Sequence, residues 1–217
     1  MDAIDAFQSS ETGQTMKSAM VKRGILGLEF WHNGLKQLSA TEPLLSPSDA
    51  AGMKFRVMAS DVLVAQFKAL DAVPQKMAFS EVYQGLQSGT IQGQENTYSN
   101  IYGKKFFEVQ DSVTESNHGI LDYMVVTSTE FWDGLPNDIR NQLQTILREV
   151  TVSRNAQSFA VNEASKEAIL ATGKTIHTLT DAQRAQWKAA MLPVWDAFKD
   201  DVGQENIDAA QAINAQY

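Results

Sequence analysis

The fold is decided by residues 53–97, which read MKFRVMASDVLVAQFKALDAVPQKMAFSEVYQGLQSGTIQGQENT. In MKFRVM, at 53–58, the apolar residues follow the alternation of a strand, and 72–77 and 90–97 are interpreted as two further extended segments. Between these segments lie two helix patterns, each behind a serine N-cap. Strand, helix, strand, helix and strand in so short a stretch form a βαβαβ unit, whose right-handed crossovers make the strands parallel. The sequence therefore predicts an α/β fold.

Three groups with binding chemistry lie at the ends of these strands. They are Arg56, the segment 77–79 and the segment 94–96. Because ligands bind beyond the carboxyl ends of strands in an open parallel sheet, we expect the three groups to share one edge. A guanidinium is a planar fork that fits a carboxylate, and an asparagine amide both donates and accepts. Two interpretations stay open: a carboxylate site, or an Arg56 that forms an ion pair between lobes beside an Asn96 that merely ends its strand.

The remaining elements continue the alternation of strands and helices. Strands are predicted at 24–33, 119–129 and 175–178, and helices at 100–109, at 136–171 and from 180 onward with a kink at Pro193. At about 1.5 Å per residue the helix at 136–171 is roughly 50 Å long, which exceeds the width of one small domain. We therefore expect this helix to span two lobes or to kink between them.

Composition and motifs exclude several classes of function. The chain has 18 Lys and Arg against 26 Asp and Glu, a net charge of −8, and no basic stripe, which argues against binding nucleic acid or an anionic membrane. It has no cysteine, and none of the common nucleotide-binding, metalloprotease or serine-hydrolase motifs is present. His118 and Asp122 have the spacing of metal ligands on a helix but lie in a predicted turn and strand. We therefore predict no metal, no cofactor and no catalytic residue.

Three blocks of sequence carry a resemblance to a known family. MAFSEVYQGLQSGTIQGQEN at 77–96 resembles the signature of the extracytoplasmic solute-binding proteins of tripartite ATP-independent periplasmic (TRAP) transporters, and GMKFRV at 52–57 and NGLKQLS at 33–39 match in order and spacing. The similarity extends through EFWDGLPNDIR at 130–140 to the C terminus. It implies a two-lobed α/β periplasmic binding protein fold of the TRAP type, class II-like, with a long lobe-spanning helix. It also implies closure over a small carboxylate.

The resemblance assigns roles to individual residues. Arg56 matches the arginine that grips the ligand carboxylate, Asn96 an asparagine that contacts it, and Phe79 a residue that lines the cleft. Lys36 stands where the sialic-acid binders of the family have a second arginine, which favours the DctP-type branch and a C4-dicarboxylate such as malate, succinate or fumarate. Further lining residues expected from the resemblance are Trp31, Gln94 and Tyr98.

The resemblance also divides the chain and names its partners. It implies an end of lobe one with a hinge strand at 1–33, lobe two at 34–122, a return to lobe one with the long helix at 123–160, and C-terminal helices on lobe two at 161–217. The ligand passes to the membrane permease subunits of the transporter, which places the protein in the periplasm.

Members of the family carry further sequence before the point that corresponds to Met1, including an export signal, and the acidic start of this chain shows no such signal. We therefore expect an N-terminally truncated chain with an incomplete lobe one, exposed apolar faces and self-association. Two other functions stay open: a carboxylate-sensing module for a signalling receptor, and an enzyme that uses Lys36 or His32 as acid or base.

Overall fold

The structure is a computed structural model that describes residues 1–217. The chain divides into two compact units. The first unit comprises Met1–Gly34, Asp122–Ala160 and Val202–Tyr217, and the second comprises Leu35–Leu121 and Val161–Asp201. None of the helices combines the length and the apolar character needed to cross a bilayer.

Nine α-helices and eight strands make up the two units. The helices are α1 (Asp2–Ser9), α2 (Glu11–Met16), α3 (Asp61–Lys68), α4 (Val82–Gln87), α5 (Tyr98–Gly103), α6 (Thr129–Gly134), α7 (Asn137–Ala171), α8 (Asp181–Val202) and α9 (Gln204–Asn214). The strands are β1 (Ile25–Leu35), β2 (Gln37–Ala40), β3 (Lys54–Val57), β4 (Val73–Lys76), β5 (Gly93–Asn96), β6 (Ser112–Glu115), β7 (Ile120–Ser128) and β8 (Thr175–Thr178). Short 3-10 helices lie at Val21–Arg23, Pro47–Ala50, Phe79–Glu81 and Phe106–Val109.

The second unit is built on a six-stranded sheet in the order β4-β3-β5-β2-β6-β8. Strand β3 pairs in parallel with β4 on one side and with β5 on the other, so that Arg56 stands beside Gln75 and Gln94. The predicted βαβαβ unit is thereby confirmed as β3-α3-β4-α4-β5. Strands β2 and β6 are not among the predicted elements, because QLSA and SVTE show too little alternation of apolar and polar residues.

The alternation of β3 separates a core face from a polar face. Phe55 and Val57 are fully buried in one hydrophobic cluster, where Phe55 stacks on Phe67 with ring centroids 4.5 Å apart. A Cβ on Gly93 of the neighbouring strand would lie 2.4 Å from the Phe55 ring, so glycine is required there. Since successive side chains of a strand point to opposite faces, Arg56 is directed away from this cluster. The strand thus places its guanidinium on the other face of the sheet.

Most of the predicted helices and outer strands are confirmed, and one helix is wrong. Helix α7 is a continuous helix of 35 residues, of which those up to Ala160 belong to the first unit and those from Val161 to the second. Helix α8 continues through Pro193. The helix predicted at 100–109 is instead split, because α5 ends at Gly103 and Lys105 adopts the left-handed conformation with φ 58°.

In the first unit β1 pairs with β7, and side chains join this pair to helices. Asn155 of α7 accepts a hydrogen bond from the His32 amide at 2.9 Å and donates one to the Phe30 carbonyl at 3.0 Å. The His32 ring is buried, with Nε2 2.9 Å from Gln8 Oε1 and 3.4 Å from Asp5 Oδ1. Several large apolar side chains of this unit are exposed, among them Phe131, Val152 and Phe159.

Candidate ligand-binding site

The candidate site lies at the carboxyl edge of the sheet, the edge at which β3, β4 and β5 end. Strand β2 begins at this edge, because Gln37 pairs antiparallel with Asn96. Strand β6 ends there, because it runs antiparallel to β2. Strands β2, β3, β4, β5 and β6 therefore each have one end at this edge, as the sequence predicts for β3, β4 and β5.

Arg56 is the only arginine or lysine of this edge that is both buried and unpaired. It is 3% exposed, its Nε donates to the Met77 carbonyl at 3.0 Å, and it forms no ion pair with a carboxylate of its unit. Burial lowers the pKa of the guanidinium, and the charge of Glu95 acts in the opposite direction. Because a buried charge is costly without a counter-charge, this fork is arranged to accept an anion.

An amide and an aromatic ring accompany the guanidinium. Asn96 is buried, and its Oδ1 accepts hydrogen bonds from Asn100 Nδ2 at 2.7 Å and from the Thr97 amide at 3.2 Å. Since its oxygen is held in this way, its Nδ2 group is directed to act as a donor. The Phe79 ring lies 5.8 Å from Arg56 Cζ and meets Phe106 edge-on, with centroids 5.7 Å apart. A cation, a donor and an aromatic wall together suit a carboxylate.

Lys36 directly precedes β2 at this edge, and its charge is paired. It is 5% exposed, and its Nζ lies 2.7 Å from Glu95 Oε2. The same carboxylate oxygen lies 2.7 Å from His118 Nε2, and His118 Nδ1 lies 2.7 Å from Ser116 Oγ. Burial acts to raise the pKa of Glu95, but the hydrogen bond from His118 and the charge of Lys36 bring it down to about 2. Lys36 is therefore neutralised by a carboxylate that the sequence interpretation did not select.

Ser116, His118 and Glu95 form a chain of hydrogen bonds, but the Ser116 side chain is buried, with 4% of the residue exposed. No group of three or more His, Cys, Asp or Glu side chains could hold a metal ion. His118, considered from the sequence only as a weak metal ligand, is instead bonded to Glu95. Burial lowers the pKa of His118, which favours its neutral form. What the arrangement can do is bind an anion through charge and hydrogen bonds.

Comparison with known families matches residues 1–201 to the family described as bacterial extracellular solute-binding protein, family 7. The chain belongs to this family. The resemblance drawn from residues 77–96 is thereby confirmed.

Similar proteins of this family are known by sequence and by structure. The C4-dicarboxylate-binding periplasmic protein DctP of Vibrio cholerae is 59% identical over 214 residues, which are 99% of this chain and 64% of that protein. A crystal structure of a TRAP periplasmic solute-binding protein from Shewanella oneidensis with bound succinate matches with a TM-score of 0.97 and 50% identity, over 99% of this chain and 70% of that one. One from Pseudomonas aeruginosa with bound L-malate matches with a TM-score of 0.88 and 41% identity, over 90% and 69%.

These similarities confirm the expected α/β binding-protein fold. The chain spans about 64% of the length of the first curated relatives that it matches.

The other residues expected to line the site have different surroundings. Gln94 is fully buried, and its Nε2 donates to Ser39 Oγ at 2.8 Å. The Tyr98 hydroxyl donates to Glu115 Oε2 at 2.9 Å, and burial raises the pKa of this tyrosine. Glu115 is also ion-paired with Lys166 of α7. The Tyr98 hydroxyl is thus hydrogen-bonded within the protein, to the carboxylate that is paired with Lys166.

Trp31 belongs to the first unit, where its indole Nε1 donates to Thr151 Oγ1 at 2.9 Å. Lys104 is a residue that sequence reasoning missed. Its Nζ lies 5.5 Å from the Phe79 centroid, and the wrongly predicted helix at 100–109 had placed it in the middle of a helix. The signal that could have found it is the glycine that ends α5 just before it.

Proposed function

We propose that the chain is the ligand-binding portion of the solute-binding subunit of a TRAP transporter, and that it captures a C4-dicarboxylate and delivers it to the membrane permease. The observation that carries the proposal is the buried guanidinium of Arg56 with no carboxylate partner in its unit. A guanidinium left in this state is completed by an anion from outside the protein. The proposed function is binding without chemical conversion, in the periplasm.

The proposed grip involves three side chains. Arg56 takes one ligand carboxylate with its planar fork, Asn96 donates to the same carboxylate from Nδ2, and Phe79 covers the apolar part of the ligand. Arg56 and Gln94 are in register on neighbouring strands, and Asn96 is two residues further along β5. Because side chains two residues apart share a face of the sheet, Arg56 and Asn96 face the same side.

The choice of a C4-dicarboxylate is supported by the named relatives and by the bound ligands of the solved neighbours. The relatives with the higher identities bear names for C4-dicarboxylate binding, and the two solved neighbours hold succinate and L-malate. Lys36 supports the choice as well, since it provides an ammonium where sialic-acid binders are expected to have arginine. We propose that its remaining donors contact the second ligand carboxylate.

Isothermal titration calorimetry with succinate, malate and fumarate tests this proposal. We expect saturable binding with one site per chain, and recovery of the ligand unchanged. Arg56→Gln should abolish binding, whereas Lys54→Gln, which removes an exposed charge from the same strand, should leave it intact. The proposal is wrong if none of the three acids binds, if Arg56→Gln binds like the wild type, or if the ligand is converted.

We also propose that the protein self-associates through the exposed apolar residues of the first unit. Phe131, Val152 and Phe159 are 58%, 67% and 64% exposed. Exposed apolar surface favours association between copies. Light scattering should show a mass above that of a monomer at micromolar concentration, and a lower mass for Phe131→Ser with Phe159→Ser. A monomer in both cases would contradict this.

A further inference from the structure

A second cation contacts the same aromatic ring as Arg56. Lys104 Nζ lies 5.5 Å and Arg56 Cζ lies 5.8 Å from the centroid of the Phe79 ring. Because both cations lie within about 6 Å of one ring centroid, they are at most about 12 Å apart, and both distances fall within the range of cation–π contacts. Lys104 directly follows α5, a helix that begins two residues after Asn96. Lys104 thus belongs to the same edge of the sheet as the proposed ligand grip.

Lys104 differs from its neighbour Lys105 in its ionic partners. The Lys104 side chain is exposed, and its ammonium forms no ion pair or hydrogen bond in the structure. Lys105 Nζ lies 3.4 Å from Glu108 Oε1. One lysine of this pair is thus offset by a carboxylate, and the other adds an uncompensated positive charge beside Phe79.

The net charge of the protein makes this local charge consequential. At −8, the protein as a whole repels a dianion. At physiological ionic strength, charges act over about 8 Å. The last part of a ligand's approach to Arg56 is therefore governed by the cations next to the proposed site. The Arg56 side chain is buried, since only 3% of the residue is exposed, whereas the Lys104 side chain is exposed to solvent.

We infer that Lys104 is the steering cation of the ligand site, which draws dianionic ligands toward Arg56 and raises their association rate over that of monoanions. This inference rests on the proposed function and adds a residue to it. Lys104 acts on the encounter, because its long exposed side chain meets the ligand before the buried guanidinium does. The dissociation rate depends on Arg56 and Asn96, which hold the bound carboxylate.

Stopped-flow tryptophan fluorescence with succinate and with butyrate tests the inference. The wild type is compared with Lys104→Gln and with the matched control Lys105→Gln, since each substitution removes one exposed positive charge from adjacent positions. At about 10 mM ionic strength, where charges act over roughly 30 Å, we expect Lys104→Gln to lower the association rate of succinate about three- to tenfold and that of butyrate less. The dissociation rate should not change. Dissociation constants from calorimetry should follow the same ratios.

At about 0.5 M salt the difference between Lys104→Gln and the wild type should disappear, because the charge is screened. Equal losses in the two lysine variants, no loss in Lys104→Gln, or a faster dissociation that persists at high salt would each overturn the steering role. If the wild type binds neither acid, the proposed function fails and this inference fails with it. Binding by the wild type without a Lys104 effect overturns the inference alone.

Discussion

Arg56 and Lys36 are two buried cations at the same edge of one sheet, and they differ in what surrounds their charge. Arg56 is 3% exposed and donates only to a backbone carbonyl, whereas Lys36 is 5% exposed and lies 2.7 Å from Glu95. Burial is therefore the same, and the pairing differs. A buried cation with an internal carboxylate is satisfied by the fold, and one without it is left for a ligand. The pairing, rather than the burial, distinguishes Arg56, the residue proposed to hold the ligand, from Lys36.

The largest effect is expected on the free energy of unfolding when the Lys36–Glu95 ion pair is broken. Glu95→Gln keeps the shape of the side chain but leaves the Lys36 ammonium buried without a counter-charge. Removal of one partner of a buried ion pair costs about 3–5 kcal/mol, so the free energy of unfolding should fall by that amount in urea titrations. Glu108→Gln, which breaks an exposed pair with Lys105, should cost less than about 1 kcal/mol. Equal losses of unfolding free energy in Glu95→Gln and Glu108→Gln would contradict a buried ion pair between Lys36 and Glu95.

A similar loss is expected when acid titrates the same pair. The pKa of Glu95 is about 2 in the folded state against its usual 4.5, so the unfolded state binds the proton first as the pH falls. Stability from Glu95 is therefore complete above about pH 5 and is lost toward pH 2, by about 3 kcal/mol. Burial lowers the pKa of His118 as well, so stability also falls as the pH drops below the usual pKa of histidine.

Urea titrations of the wild type and of Glu95→Gln between pH 7 and pH 3 measure this loss. The variant should show the shallower decline, because its residue 95 no longer titrates. A wild type whose stability rises on acidification, or a variant that declines as steeply as the wild type, would show that Glu95 is not held as a carboxylate.

Substitution of the unpaired cation, Arg56, is expected to change the affinity for the ligand. Arg56→Lys keeps the positive charge but removes the planar fork, so one of two charge-assisted hydrogen bonds to the ligand is lost. At about 1.5–3 kcal/mol for such a bond, binding of succinate should weaken roughly ten- to a hundredfold in calorimetry. Because Arg56 has no internal carboxylate, the stability without ligand should change little. A variant that binds like the wild type but unfolds more easily would make Arg56 a structural residue.

The sequence predicts the location of Arg56 better than it predicts the ion pair of Lys36 with Glu95. The location of Arg56 at the carboxyl edge of the sheet could be predicted because its strand alternates visibly and because neighbouring parallel strands share an edge. The Lys36 pair could not, since Glu95 lies 59 residues away along the chain and is joined through β2, a strand of four residues without a visible period. His118 reaches Glu95 across 23 residues from a loop in which Asn117 has φ 47°. Such contacts depend on strand order, which local patterns do not encode.

Lys104 and Tyr98 show the same limit at a shorter range. Helical spacing carried the predicted helix past Gly103, the residue that ends α5, and the left-handed conformation then falls on Lys105, a residue type that does not announce it. Tyr98 is expected from the resemblance to line the site, and the sequence gives no partner for its hydroxyl. In the structure this hydroxyl donates to Glu115, the last residue of β6.

The smallest effect is expected when both partners of the pair are removed together. In Lys36→Met with Glu95→Gln the two opposite charges disappear at once, so neither is left buried alone, and the free energy of unfolding should fall by less than in Glu95→Gln. Because Glu95 already offsets the Lys36 charge, the preference for succinate over butyrate should fall only about two- to fivefold in calorimetry, through loss of the proposed Lys36 contact with the second carboxylate. Arg56→Lys should instead weaken both acids alike. If the double variant loses as much affinity as Arg56→Lys, Lys36 grips the ligand as strongly as Arg56 does, and its pairing with Glu95 does not set it apart.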